Sequence, residues 1–291
     1  MLGAAYRVRL AAQWQDGNDE LMIALHARRS AASISAWRAQ RPQAPLVLVL
    51  TGTDLYRDID SNADARRSLA LADRLVVLNS HGPDQLPAPL RVRCQLVLQS
   101  CSARQPLHKT QQHLRALMVG HLRDEKDPLT YLRAAARLAG RADIHCDHAG
   151  AALDPALGAQ AAALAARQPS YRWLGALPHA AARRRIQAAH VLVHTSRMEG
   201  GAHVVIEALR SGTPVIASRI AGNLGLLGDD WPASFDVGDD AALAALIERA
   251  RDDPDMLPAL RRRAADRAPL FSPQAEQATL LRLLQDLLPL T

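Results

Sequence analysis

The chain has 291 residues, of which 48% are hydrophobic and 22% charged, as in a globular protein of one large domain or two ordinary ones. No apolar run approaches the about 18 residues of a membrane span, and the N-terminus lacks the apolar stretch of a signal peptide, so we expect a cytoplasmic protein without a membrane span. The net charge of +6 is spread along the chain, which argues against a nucleic-acid partner and favours a small anionic one.

Strand-like and helix-like segments alternate along the first hundred residues. Four apolar runs predict strands, namely ELMIALHA, PLVLVLTGT, RLVVLN and QLVLQS, and the segments between them include the helical patterns SAASISAWRAQ and ADARRSLALA. Such alternation is typical of an α/β fold in which helices flank a parallel sheet. Residues 101–112 then lose this periodicity and become polar, which predicts a linker.

The alternation restarts after the linker. The strand pattern LRALMVGHL is followed by a helix that we expect Asp127 to cap and Pro128 to open. Further strands are predicted at DIHCDHAG, YRWLG, HVLVHTS, PVIAS and SFDV, and the last helices at about 240–251, 255–267 and 273–288. We therefore predict two Rossmann-like domains that face a cleft, one of residues 1–105 completed by 273–291 and one of residues 112–272.

Two glutamates with seven residues between them, Glu199 and Glu207, follow the strand HVLVHTS. In open α/β sheets, ligands bind beyond the carboxyl ends of the strands, so both carboxylates can point into one cleft. A carboxylate accepts hydrogen bonds from neighbouring hydroxyls, so we expect Glu207 to hold a ribose and Glu199 a sugar joined to it through a diphosphate. Gly200 and Gly201 would let backbone amides approach the ligand. The alternative is that both acids are simply solvated.

Lysine is rare in this chain. Only Lys109 and Lys126 occur among 35 basic residues, and Lys126 precedes a predicted helix. A compact point charge in that position suits a phosphate. The alternative is a chance surface lysine.

The segment EGGAHVVIEALRSGTPVIAS resembles the signature of retaining, nucleotide-sugar-dependent glycosyltransferases of family 4, which have the GT-B fold. MVGHLRDEKDP resembles a second family segment, although His121 stands where the family usually has arginine. The resemblance implies a UDP-sugar donor and no catalytic metal or cofactor. It places catalysis on Lys126, Arg123 and Glu199, and donor binding on seven residues: Gly120, His121, Lys126, Glu199, Gly200, Gly201 and Glu207.

A closer resemblance covers most of the chain, through segments such as LTGTDLYRD, RWLGALP and ASRIAGNLGLLGDDWPASFDVGD. These are similar to the selenosugar synthases of selenoneine biosynthesis. The resemblance implies transfer of N-acetylglucosamine or glucose to selenophosphate. A family 4 enzyme with a carbohydrate acceptor and a noncatalytic sugar-nucleotide-binding protein remain alternatives.

Selenophosphate needs positive charge and backbone amides around it. The predicted strand ends of the first domain offer such groups, where a helix is expected to be capped by Ser30. The predicted acceptor site comprises His26, Arg28, Arg29, Thr51, Gly52 and Thr53. For the two adjacent arginines, the alternative is a solvated helix start.

Three further features bear on these predictions. Compared with selenosugar synthases, the chain lacks a first strand and begins at YRVRLAAQW, which looks like their second strand, so we expect an exposed trough in the sheet. The aspartates of DID, Asp58 and Asp60, resemble a metal-binding motif of another glycosyltransferase fold but are expected to form a polar turn. Three cysteines without metal-site spacing, Cys94, Cys101 and Cys146, predict free thiols and no structural metal.

Overall fold

The computed structural model describes residues 1–288, which divide into two compact units. The first unit holds Met1–Ser100, Glu199–Gly201 and the segment from Phe271 onwards. The second holds Cys101–Met198 and Ala202–Leu270. Each unit contains one parallel sheet with helices, which confirms the predicted fold class of two Rossmann-like α/β domains.

The first unit is built on a four-stranded parallel sheet in the order β1-β2-β3-β4. Its strands are β1 (Met22–Leu25), β2 (Leu46–Val49), β3 (Arg74–Val77) and β4 (Cys94–Leu96). Its helices are α1 (Ala31–Gln40), α2 (Ile59–Ser61), α3 (Ala63–Leu71), α4 (Ala88–Arg91) and, at the other end of the chain, α12 (Pro273–Leu287). Leu283 of α12 packs against Val47 and Val76 of the sheet, so the C-terminal helix completes this unit's core.

Three local predictions for the first unit are wrong. Residues 6–14 form no strand, and within residues 1–288 β1 pairs with β2 alone. Ser30 stands at the N-cap position of α1, but its hydroxyl donates to the carbonyl of Leu25 and caps no amide. The expected polar turn around Asp58 is helical over Asp54–Ser61, because Leu55 and Ile59 are buried there on the core side.

The second unit contains a six-stranded parallel sheet in the order β10-β9-β8-β5-β6-β7. Its strands are β5 (Leu114–Val119), β6 (Ile144–Ala149), β7 (Tyr171–Trp173), β8 (Val191–His194), β9 (Val215–Ser218) and β10 (Ser234–Phe235). Its helices are α5 (Pro128–Arg137), α6 (Pro155–Arg167), α7 (His179–Ala188), α8 (His203–Leu209), α9 (Ala221–Leu227), α10 (Asp240–Asp252) and α11 (Met256–Arg267). The sequence patterns predicted these six strands, α5, α10 and α11, but not α9, which contains two glycines.

The strand order places a topological switch point in this sheet. The chain leaves β5 towards β6 on one side and later returns to pair β8 with the other side of β5. The loops that follow β5 and β8 therefore diverge from one edge of the sheet, where open α/β folds bind ligands. No helix within residues 1–288 is both long enough and apolar enough to span a bilayer.

Candidate donor site

Two hydrogen bonds join the loop after β5 to the loop after β8. The Thr195 hydroxyl donates to the carbonyl of Lys126 at 2.7 Å, and the Arg197 amide donates to the carbonyl of Glu125 at 2.9 Å. These bonds fix the backbone that carries Lys126 relative to the segment that leads into α8. Both flanks of the switch point are thus held before any ligand binds.

Lys126 ends a single 3₁₀ turn, Asp124–Lys126, and Pro128 opens α5 two residues later, as predicted. Asp127 lies between them in a left-handed conformation with φ 45°. Its carboxylate accepts a hydrogen bond from the Thr130 hydroxyl at 2.7 Å and none from a backbone amide of the helix. The prediction that Asp127 caps the helix through a backbone amide is therefore wrong. This bond secures the turn that presents Lys126.

Arg123 lies on the same loop and is more exposed than Lys126. Its guanidinium is 3.9 Å from the Glu125 carboxylate, and 44% of its side chain is accessible. A contact between ions so exposed contributes little, so the Arg123 charge can be redirected to a ligand at small cost. The loop therefore carries two cations beyond the end of β5.

Gly120 and Gly150 approach each other at the ends of β5 and β6. A Cβ atom on Gly150 would lie 1.9 Å from the Gly120 carbonyl oxygen, so only glycine fits there. The neighbouring His121 accepts the Ala151 amide on its Nδ1 at 3.0 Å. His121 thus has a structural hydrogen bond in addition to its predicted role at the donor.

His148 lies beneath this glycine pair. Desolvation lowers its pKa to about 4, so the ring is neutral at pH 7. Its Nε2 is 3.2 Å from the Gly120 carbonyl, which requires the proton to be on that nitrogen. The bond satisfies the carbonyl and supports the loop from below.

Glu207 is buried in α8, with 3% of its side chain exposed. Its Oε1 lies 2.6 Å from His179 Nε2, 3.3 Å from His203 Nδ1 and 3.7 Å from an Arg183 nitrogen. Burial alone would raise its pKa, but the hydrogen bonds from both histidines and the Arg183 charge outweigh that effect and lower it. Glu207 is therefore an ionised carboxylate held in a pocket of basic side chains.

Comparison with known families assigns the second unit. The model of a family described as glycosyl transferases group 1 matches residues 102–269. The chain belongs to this family. It is a glycosyltransferase, and the matched region contains both loops of the switch point. A search of curated proteins gave no match.

Solved glycosyltransferase structures share the fold of this transferase at low sequence identity. HepE of Anabaena, solved with UDP and glucose, is 16% identical with a TM-score of 0.75, and the match covers 93% of this chain and 78% of HepE. Sucrose-phosphate synthase of Thermosynechococcus elongatus is 19% identical with a TM-score of 0.74, covering 92% and 74%. TarM of S. aureus is 14% identical with a TM-score of 0.72, covering 90% and 55%.

The transferase's first unit contains the remaining glutamate of the motif. The segment Glu199–Gly201 belongs to this unit, and the Gly200 carbonyl accepts from the Asn79 side-chain amide at 2.7 Å. A Cβ atom on Gly52 would lie 2.9 Å from the Gly200 nitrogen, so both glycines permit a close backbone approach. This gives Gly52 and Gly200 a packing role beside the predicted ligand contacts.

The predicted acceptor residues meet at the ends of β1 and β2. His26 takes a left-handed conformation with φ 72°, and its Nε2 lies 3.0 Å from the Thr53 hydroxyl. Desolvation lowers the pKa of His26, although Asp54 and Asp58 counteract that effect, so the ring is neutral at pH 7. Arg28 is ion-paired with Asp58 at 2.9 Å. Its charge is therefore partly compensated, and the neighbouring Arg29 is exposed.

Sequence reasoning missed the acidic support of this cluster. Asp54 is fully buried and accepts from the amides of Ala27 and Thr51, at 2.8 Å each, and from the Thr51 hydroxyl at 2.7 Å. It thereby joins the two loops that follow β1 and β2. The aspartate is visible within TGTD, but its bond to Ala27 spans 27 positions and carries no local signal.

The histidine partners of Glu207 were missed as well. His203 stands four residues before Glu207 on α8, a spacing that brings side chains together on a helix and could have been recognised. His179 and Arg183 come from α7, which packs against α8. Their contact with Glu207 depends on how the two helices pack.

Proposed function

We propose that this glycosyltransferase takes a hexose, N-acetylglucosamine or glucose, from a UDP-sugar. The observation that carries the proposal is the buried, ionised Glu207 beside a switch point whose other loop bears Lys126 and Arg123. A carboxylate and a cationic loop complement the two ends of a nucleoside diphosphate, its ribose hydroxyls and its phosphates. The UDP complex of HepE supports this choice of donor.

The chemical step breaks the bond between the anomeric carbon and the diphosphate oxygen. Negative charge then develops on the departing UDP, and Lys126 and Arg123 would stabilise it. A fixed cation in that position contributes on the order of 10²- to 10³-fold in rate. Glu199 is proposed to hold the transferred sugar through its hydroxyls.

The acceptor we propose is selenophosphate, in keeping with the resemblance to selenosugar synthases. Its selenium attacks the anomeric carbon as UDP leaves, and water then cleaves the phosphorus–selenium bond to release phosphate and the free selenosugar. Because the selenium is already ionised, the step requires no strong general base. Arg29, Arg28 and the amides of residues 51–53 would hold the phosphate.

A carbohydrate acceptor is the second candidate, and one observation favours it. Asp54 and Asp58 are buried beside His26 and Arg28, so the cluster holds negative as well as positive charge. Carboxylates accept hydrogen bonds from hydroxyls but repel an anion. The acceptor must therefore be tested directly.

The test supplies UDP-N-acetylglucosamine or UDP-glucose with selenophosphate, thiophosphate or simple sugars, and follows UDP release and product mass. We expect a selenium-containing hexose or hexosamine that is lost in Arg29→Ala while UDP binding is retained. Arg67→Ala, at an exposed arginine of α3, is the matched control and should behave as the parent. Transfer to a carbohydrate with none to selenophosphate would overturn the proposed acceptor. UDP binding without UDP release in any mixture would instead indicate a noncatalytic sugar-nucleotide-binding protein.

A further inference from the structure

Glu207 and the two histidines beside it form a set of metal ligands. His179 Nε2, His203 Nδ1 and a Glu207 carboxylate oxygen all lie within 4.8 Å of one another. Two imidazoles and a carboxylate match the ligand set of zinc sites that retain an open position. None of the functions proposed above uses the two histidines.

We propose that His179, His203 and Glu207 bind a divalent transition-metal ion, zinc foremost, and that the bound ion blocks the carboxylate that would otherwise hold the ribose. The metal site rests on the geometry of these three residues alone. The blocking effect rests additionally on the proposed role of Glu207 in donor binding.

The distances suit such an ion. Two atoms bound tetrahedrally to zinc, each at about 2.1 Å, lie about 3.4 Å apart. The separation between His203 Nδ1 and Glu207 Oε1 is 3.3 Å, so this pair needs almost no adjustment. His179 Nε2 lies 2.6 Å from the same oxygen and would move outward by roughly 0.8 Å. Its side chain is 74% exposed, so solvent gives it room to do so.

The placement and charge of the three ligands and of neighbouring Arg183 determine which metal ion the site prefers. His203 and Glu207 are one helical turn apart on α8, the spacing by which helical residues bind one metal. Glu207 supplies a buried negative charge that a cation neutralises. Arg183, at 3.7 Å, opposes a cation and limits its affinity. Nitrogen ligands favour zinc, cobalt, nickel or copper over magnesium, which prefers oxygen.

Among residues 1–288, this is the one group of three histidine, cysteine or acidic side chains placed to hold a metal ion. Zinc binds cysteine as the thiolate, and burial raises the pKa of Cys94 to about 11 and that of Cys146 to about 12. Both ring nitrogens of His190 already have partners: Nδ1 accepts a hydrogen bond from the Arg115 amide, and Nε2 lies 2.8 Å from the Thr110 carbonyl. The cluster at Glu207 is therefore the site to test.

Zinc binding is measured first by calorimetry on the full chain in chelator-free buffer, with cobalt absorption reporting the coordination number. We expect one saturable zinc ion, a loss of at least tenfold in affinity in His179→Asn and in His203→Asn, and no response to magnesium. Both histidines are substantially exposed, so the variants should fold. His108→Asn, at an exposed histidine outside the cluster, is the matched control. Equal zinc binding by all four proteins would overturn the site.

UDP binding is then titrated with and without zinc. At ten times the parent's zinc Kd, the apparent UDP Kd of the parent should rise about 11-fold, and that of His179→Asn, which binds zinc at least tenfold more weakly, should rise about twofold or less. Zinc that binds the cluster without affecting UDP would overturn the blocking effect and the ribose role of Glu207, yet leave the metal site standing. Failure of the parent to bind UDP at all would refute the proposed donor, while the zinc titration would still decide the metal site.

Discussion

Replacing Glu207 separates its proposed role in ribose binding from its role in stability. Glutamine keeps the volume and one acceptor oxygen of the side chain, replaces the other oxygen with a donating NH2 group, and removes the charge. A charge-assisted hydrogen bond contributes about 1.5–3 kcal/mol and a neutral one about 0.5–1.5 kcal/mol. For two ribose hydroxyls, the difference is about 2–3 kcal/mol, so Glu207→Gln should weaken UDP binding about 30- to 140-fold.

Alanine at the same position should also destabilise the fold. It removes the partner of Arg183, whose side chain is only 5% exposed. Breaking a buried ion pair costs about 3–5 kcal/mol, and we expect the lower end because Arg183 keeps a bond to the Ser102 carbonyl at 2.9 Å. The free energy of unfolding, from urea titration, should therefore fall by about 3 kcal/mol in Glu207→Ala and by less in Glu207→Gln, whose amide oxygen fills the same place and can still accept a hydrogen bond from His179.

Calorimetric titration with UDP, in the presence of a chelator, measures the binding effect. Glu248→Gln is the matched control, since Glu248 is a half-exposed residue of α10, and it should bind UDP as the parent does. If Glu207→Gln bound UDP within threefold of the parent, the carboxylate would not hold the ribose, and the reasoning from burial and charge would be refuted.

Three further predictions address the other charged groups. Lys126→Ala should slow UDP release from the UDP-sugar on the order of 10²- to 10³-fold, because a fixed cation at the leaving group is lost. Lys109→Ala, at the only other lysine of the sequence, should leave this rate unchanged. A parent-like rate in Lys126→Ala would contradict the role assigned to Lys126. Glu199→Ala should leave the Kd for UDP within threefold and weaken UDP-sugar about tenfold or more by calorimetry, since only the sugar loses a partner, and equal losses for both ligands would exclude this division. Asp147 is fully buried. Desolvation would raise its pKa, but the hydrogen bonds from Arg172 and Arg115 outweigh that effect and lower it. Its contribution to stability is therefore present above about pH 4 and is lost as the pH falls through the pKa of Asp147 in the folded protein. Asp147→Asn should lower the free energy of unfolding at pH 7 by about 2–3 kcal/mol, given that both arginines are partly exposed, and should flatten the acid dependence in urea titrations; an unchanged acid limb would show that Asp147 does not titrate in this range.

Much of the fold could be predicted because the periodicity of apolar residues is a local property. Period-two and period-3.6 patterns reflect which face of an element is buried, and that face is encoded in neighbouring residues. The strands from Leu114–Val119 to Val215–Ser218 therefore lie where their patterns placed them. The helix Ala221–Leu227 was missed because its glycines weaken the helical signal, although Leu226 and Leu227 are buried in the core.

The sequence by itself determined the alternating architecture and the interval between Glu199 and Glu207, since both are written in consecutive residues. Only the tertiary structure decided what surrounds those acids. His179 reaches Glu207 from 28 positions away, and Asp54 joins the β1 and β2 loops across 27. The physical reason is that charge pairing and burial depend on which elements the sheet order brings together, and a short stretch of sequence carries no record of distant partners.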